Sequence, residues 1–156
     1  MLLSKTCSYA IRASLYIAIH QDRKFIPIRD ISEELGVSFH FLTKILQILT
    51  GRNILVSFRG PNGGITLARP AGEIVLAEIV EAVDGLAIFN NCVLGLGLCD
   101  DSNPCPVHGH WTNVRHGCRS FFDSTTLQFL VDQIKSKGLR LSEVFPGDTK
   151  RPHKTD

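Results

Sequence analysis

The run PIRDISEELGVSFHFLTKILQILT, residues 27–50, decides the fold. Pro27 suits the first turn of a helix, where a missing N–H costs nothing. Ile28, Ile31 and Leu35 give that helix an apolar stripe. Gly36 can adopt the left-handed backbone that ends a helix, and Ser38 is a favoured N-cap for the next one. The spacing predicts that this second helix runs to about Thr50 and buries Leu42, Ile45, Leu46 and Leu49. Helix, glycine turn, helix is the helix-turn-helix plan. Its outer face carries Ser38, His40, Thr43, Lys44 and Gln47, polar and basic side chains able to reach base edges in a major groove. An ordinary αα-hairpin with a solvated face has the same pattern, so the flanking residues must decide.

Downstream, Ile54–Phe58 and Ile65–Ala68 read as strands around the turn RGPNGG, residues 59–64, and Pro70 closes the second strand. A hairpin directly after the second helix makes a wing, with Arg59 and Asn62 at its tip. There an arginine can lie along a phosphate backbone or enter a minor groove. The same turn is not a phosphate-cradling loop, because no glycine-rich strand-to-helix turn with a lysine follows. Charge agrees with the wing. Residues 1–70 hold nine Lys or Arg against four Asp or Glu, while residues 71–156 hold eight against eleven. Between Glu34 and Glu73 there is no acidic residue, and Lys44, Arg52, Arg59 and Arg69 lie inside. A basic, acid-free window is the electrostatic footprint of a polyanion, here double-stranded DNA.

Upstream, Ser4 can cap a helix reaching about His20. Tyr9, Ala13, Tyr16 and Ile17 form one stripe; Ile11, Leu15, Ala18 and Ile19 form a second, so two sides should be covered. Beyond the wing, Ala71–Asp84 reads as one helix that Gly85 stops. A longer helix starts near Gly109. Its stripe of Trp111, Val114, Cys118, Phe121 and Phe122 is heavy for a surface helix. Packing against the same helix of a second copy is expected, since dimers are the commonest assembly and DNA sites are often palindromic. Ser124 is the expected cap of a last helix through Leu127, Leu130 and Val131, and a disordered tail is expected over 146–156. The chain is 156 residues long and 44% hydrophobic, enough for a packed core. Its longest apolar region, 74–98, is broken by Glu78, Glu81 and Asp84, so no membrane span is expected. Arg12 interrupts the first apolar run, so a secretory signal is not expected, and the protein should be cytoplasmic.

Residues 91–108, NCVLGLGLCDDSNPCPVH, hold three of the five cysteines, spaced Cys92-x6-Cys99-x5-Cys105, with His108 two residues on. Gly95, Gly97, Pro104 and Pro106 make this a loop. Three buried structural cysteines fit poorly, because the polar DDSN run separates Cys99 from Cys105. In a reducing cytosol the pattern reads as a metal site. Thiolates are soft ligands that suit zinc, cuprous copper or iron–sulfur clusters. Three Cys and one His can hold tetrahedral zinc, as in zinc modules that grip single-stranded RNA; they can equally hold a cluster. A thiol enzyme is the remaining alternative. No carboxylate is evidently placed to orient His108, His110 or His116, and no substrate-pocket motif is present, so the chain is read as a non-enzyme.

The sequence resembles the Rrf-two family, the IscR- and NsrR-like bacterial regulators, over residues 1 to about 135. The likeness rests on Leu3-Ser4-Lys5 with Tyr9-Ala10, ISEEL at 31–35, RGPNGG at 59–64, IVEAVDG at 79–85, the three cysteines, and STTL at 124–127. It implies a mainly α protein in four parts. These are a winged helix-turn-helix DNA-binding domain over 1–85, a cluster-binding loop over 86–109, a dimerisation helix with a short terminal helix over 110–145, and the tail. It also implies a homodimeric transcription regulator, a repressor, whose DNA affinity is controlled by an iron–sulfur cluster on Cys92, Cys99, Cys105 and His108 that senses redox, iron or nitric oxide. A [2Fe-2S] cluster is favoured, with [4Fe-4S] as the alternative. Two features depart from the family pattern. The first cysteine interval is six residues where IscR-like members have five. Some members take a fourth ligand from a carboxylate in the partner's first helix; the matching position here is Ser8, beside Cys7, and residues 1–21 contain no carboxylate. His108 is therefore the expected fourth ligand, and Cys7 of the partner subunit the competing one.

Overall fold

The computed structural model describes residues 2–139 and Leu141; the tail expectation over 146–156 lies outside them. Helix α1 (Lys5–Ile19) starts as expected, with the Ser4 hydroxyl accepting the Cys7 N–H at 3.0 Å. Helix α2 (Ile28–Leu35) begins one residue later than Pro27. Pro27 has an extended ψ of 137° and stands outside the helix as its cap. Gly36 ends α2 at φ 62°, and the Ser38 hydroxyl caps α3 (Phe39–Gly51) by accepting the Phe41 N–H at 3.2 Å.

The wing pairs β1 (Leu55–Phe58) with β2 (Gly64–Leu67), antiparallel, with Leu55 opposite Leu67 and Phe58 opposite Gly64. Its root is stitched to the α1–α2 connection: Ile26 and Ile65 exchange backbone hydrogen bonds of 2.9 and 2.8 Å. That stitch requires glycine at position 64, where a Cβ would lie 2.3 Å from the Ile26 carbonyl oxygen.

The helix expected over 71–84 is interrupted. A 3-10 turn (Ala71–Glu73) precedes an extended Ile74–Val75, and α4 (Leu76–Val83) follows. The cause is a non-local pairing. Val75 bridges Thr126, the Leu76 N–H donates to the Thr125 carbonyl and the Leu127 N–H to the Ile74 carbonyl, both at 2.9 Å. The same pairing moves the last cap. Ser124 ends α6 (His108–Ser124), its hydroxyl donating to the Ser120 carbonyl, while Thr126 caps α7 (Leu127–Lys137) by accepting the Phe129 N–H at 3.1 Å. A one-turn helix, α5 (Ala87–Asn90), precedes the cysteine loop.

Helix α1 is the hub of the core and packs against α2, α3, β2, α4 and α7. Its Cys7, Ala10, Ala13 and Ile17 are buried with Ile31, Leu42, Leu46, Leu49 and Ile79. Helix α6 packs only on α4 and α5 among the larger contacts, and only Phe122 of its stripe is buried. Val114 and Phe121 remain 55% and 53% exposed, an apolar face that the described residues do not cover.

Candidate nucleic-acid interface and metal centre

Helix α3 presents Ser38, His40, Lys44 and Gln47 to solvent, with Arg52 exposed at its end and Arg59 and Asn62 exposed on the wing. Thr43 is half-buried and its hydroxyl donates to the Phe39 carbonyl at 2.7 Å, so that donor is already engaged. Between α3 and the wing lies a groove of about 730 Å³. Of the expected DNA-contacting residues, Thr43, Gln47 and Arg59 line it, whereas Ser38, His40, Lys44, Arg52 and Asn62 do not. Arg29, in the first turn of α2, also lines the groove, together with the exposed Phe39 of α3 and Phe58 of the wing. Sequence reasoning missed Arg29, although its place at the N-terminal end of the first motif helix is a readable signal. Phe39 directly follows the cap and Phe58 directly precedes Arg59, so both were equally open to notice. Arg69, counted in the basic window, is held by the Glu78 carboxylate and the Glu73 carbonyl. It is therefore already spent as a cation.

The cysteine loop is built on backbone turns and pinned by α6. The Cys92 N–H donates to the Gly97 carbonyl at 2.8 Å, and the Gly95 N–H to the Cys92 carbonyl at 3.0 Å. Gly95 and Gly97 take φ of 74° and 87°, which side chains disfavour. Asn90 accepts the Cys99 N–H, while Trp111 Nε1 and an Arg115 guanidinium N–H donate to the Asn91 and Asn90 carbonyls. The His108 N–H donates to the Cys105 carbonyl at 3.0 Å, which turns the imidazole back toward the thiols.

The four expected ligands converge as two pairs. Cys92 and Cys105 have their sulfurs 3.5 Å apart; the Cys99 sulfur lies 3.3 Å from His108 Nδ1. All four line one cavity of about 430 Å³. Among the described residues no three His, Cys, Asp or Glu donors close on a single point. Two thiolates on one tetrahedral centre with bonds of about 2.3 Å would sit about 3.8 Å apart, and a thiolate and an imidazole about 3.6 Å. Both observed separations are slightly shorter than these values, so each pair is close to ligating geometry. The Leu94 N–H, with the Cys105 thiol and the Leu96 N–H, holds the Cys92 thiol below its usual range. At Cys105 the Val107 N–H acts in the same direction, but burial, the Cys92 hydrogen bond and the charges of Cys92 and Cys99 outweigh it and push the thiol up. One member of the first pair is thus biased toward thiolate, the ligating form.

His110 and His116 are exposed and lie outside this cavity. Cys7, the competing fourth ligand, is fully buried in the core of its own chain. The structure also supplies the orienting carboxylate that the sequence reading did not find: Asp101 Oδ1 lies 2.6 Å from His108 Nε2.

Comparisons place this geometry among known proteins. A family model described as Rrf2, iron-dependent transcriptional regulator, matches residues 3–133. The chain is 34% identical to the HTH-type transcriptional regulator IscR of Xenorhabdus nematophila over 131 residues, 84% of this chain and 79% of that one. It is 33% identical to the IscR of Photorhabdus laumondii over 132 residues, 85% and 80% of the two chains. Among solved structures, Staphylococcus aureus CymR matches with a TM-score of 0.68 at 25% identity, covering 83% of this chain and 97% of that one. The T. potens IscR structure matches with a TM-score of 0.70 at 20% identity, covering 88% and 91%, a likeness of fold.

Proposed function

Because the chain belongs to the Rrf2 family of transcriptional regulators, we propose that this DNA-binding regulator acts as a homodimer whose DNA affinity is set by an iron–sulfur cluster. Cys92, Cys99, Cys105 and His108 would hold that cluster. The carrying observation is their convergence, from 17 residues of loop, on one cavity. We favour a two-iron [2Fe-2S] core over a single zinc ion, because the family description is iron-dependent. The IscR relatives are transcriptional regulators, and an Asp–His–Cys series that could serve a thiol nucleophile serves ligation equally well.

The loop lies between α5 and the first turn of α6, and α6 packs on α4, which packs on α1 and α3. Bound there, a cluster supplies a redox- and iron-responsive tie between loop and helix. Cys92 and Cys99 anchor the loop side, and His108 belongs to α6 itself. Releasing that tie frees α6 to shift, and with it the spacing of two α3 helices across a dimer. A differential affinity of a few kcal/mol between two such arrangements would switch operator occupancy.

The test is a visible absorption spectrum of protein purified without air, followed by duplex-binding titrations before and after removal of the chromophore. Iron–sulfur absorption and at least a tenfold change in affinity for a selected duplex are expected. A colourless protein containing stoichiometric zinc would replace this reading with a zinc-stabilised regulator.

A further inference from the structure

Asp101 sits at the tip of the polar turn between Cys99 and Cys105, and its side chain is 95% exposed. Its neighbour Asp100 is occupied locally, accepting the Ser102 N–H at 2.9 Å and the Ser102 hydroxyl at 2.8 Å. That turn leaves Asp101 free to reach the His108 ring, of which only 14% is exposed. The contact is 2.6 Å from Oδ1 to Nε2, while Nδ1 faces the Cys99 sulfur at 3.3 Å.

An ionised carboxylate can only accept a hydrogen bond, so the ring nitrogen beside it carries the proton. The reverse tautomer would set a nitrogen lone pair against a carboxylate oxygen at hydrogen-bond distance. The geometry points to Asp101 as a positioning residue that fixes the proton on Nε2 and leaves Nδ1 as the ligating atom of His108. This rests on the cluster reading above and deepens it. A carboxylate behind a ligating imidazole sets ring orientation and raises ligand basicity, and losing such a partner costs about 10–100-fold in metal affinity. The same contact does little for folding, because a hydrogen-bonded pair with so exposed a carboxylate is screened by water. The two roles therefore separate experimentally.

Metal-free, ¹⁵N-labelled protein is compared as wild type, Asp101→Ala and Asp101→Glu, with His108→Ala identifying the resonance. The wild type should show a solvent-protected proton on His108 Nε2. It should vanish in Asp101→Ala, without loss of the folded spectrum, and return in Asp101→Glu. After anaerobic iron–sulfur reconstitution, a chelator should strip the Asp101→Ala chromophore about 10–100-fold faster than the wild type. A protected proton on Nδ1, or one on Nε2 that survives Asp101→Ala, overturns the inference. So does cluster uptake with an unchanged release rate, which leaves the cluster reading standing. A wild-type protein that takes up no cluster overturns the cluster reading itself, and the ligand role of Nδ1 with it.

Discussion

Asp84, at the end of α4, holds the cap of α1 across 80 positions of sequence: Ser4 donates its N–H to Oδ2 at 2.8 Å and its hydroxyl to Oδ1 at 2.5 Å. The Ser4 oxygen in turn accepts the Cys7 N–H. One carboxylate thereby orients a helix cap and ties the hub helix to the segment that leads into the cysteine loop. Asp84→Ala should lower unfolding free energy by about 1–2 kcal/mol, the range for a lost charged hydrogen bond and a loosened cap. Urea denaturation measures it, and Asp84→Asn should recover part of the loss. Wild-type stability in both variants would mean that the contact contributes nothing.

Cys7 provides a pH signature. Burial, aided by the charge and hydrogen bond of Asp84, pushes its thiol up to about 12 from an ordinary 9.0. The unfolded thiol therefore ionises first. Its contribution to stability is full below about pH 9 and declines as pH rises toward about 12. Cys7→Ala should flatten the alkaline decline in urea midpoint relative to wild type. In native metal-free protein at pH 8, iodoacetamide should modify Cys99 and Cys105 long before Cys7, as read by peptide mass spectrometry.

On the DNA side, Lys44→Ala should reduce the slope of log K against log salt by about one and weaken all duplexes alike. Arg29→Ala should do the same, because Arg29 lines the same groove as the wing residue Arg59. Arg69→Ala should leave the slope unchanged, because Glu78 already engages that guanidinium. Fluorescence anisotropy across a salt series distinguishes the three variants.

At the metal centre, Cys92→Ala, Cys99→Ala and Cys105→Ala should each abolish the visible chromophore. His108→Cys should retain a cluster at lower reduction potential, since imidazole ligation raises it. Cys7→Ala should leave spectrum and potential untouched. Loss of the cluster in Cys7→Ala, with none in His108→Ala, would reassign the fourth ligand.

The exposed face of α6 yields the last expectation. Phe121→Asp places a charge on the apolar stripe away from the buried Phe122. It should shift the protein from dimer to monomer in sedimentation velocity and weaken operator binding at least tenfold. A dimer that persists in Phe121→Asp would put the contact elsewhere, and a monomeric wild type would refute the proposed homodimer.

Local chemistry was written in the chain itself. The Ser4 and Ser38 caps, the left-handed Gly36 and the turn between the wing strands act over three or four residues, so they could be read before any packing was known. The donor types and crowding of Cys92, Cys99, Cys105 and His108 were legible for the same reason, and so was the polar outer face of α3. Tertiary structure decided what depends on partners far apart in sequence. Ile74 and Val75 leave the helical path to pair with Thr125–Leu127, and that pairing moves the last cap from Ser124 to Thr126. Glu78 removes Arg69 from the basic surface, while Arg29 and Arg59 are brought to line one groove. Core packing buries Cys7, and Asp101 of the turn beside Asp100 meets His108. A cap or a left-handed glycine satisfies backbone groups beside it, whereas a paired charge, a buried thiol or an oriented imidazole is defined only once distant segments meet.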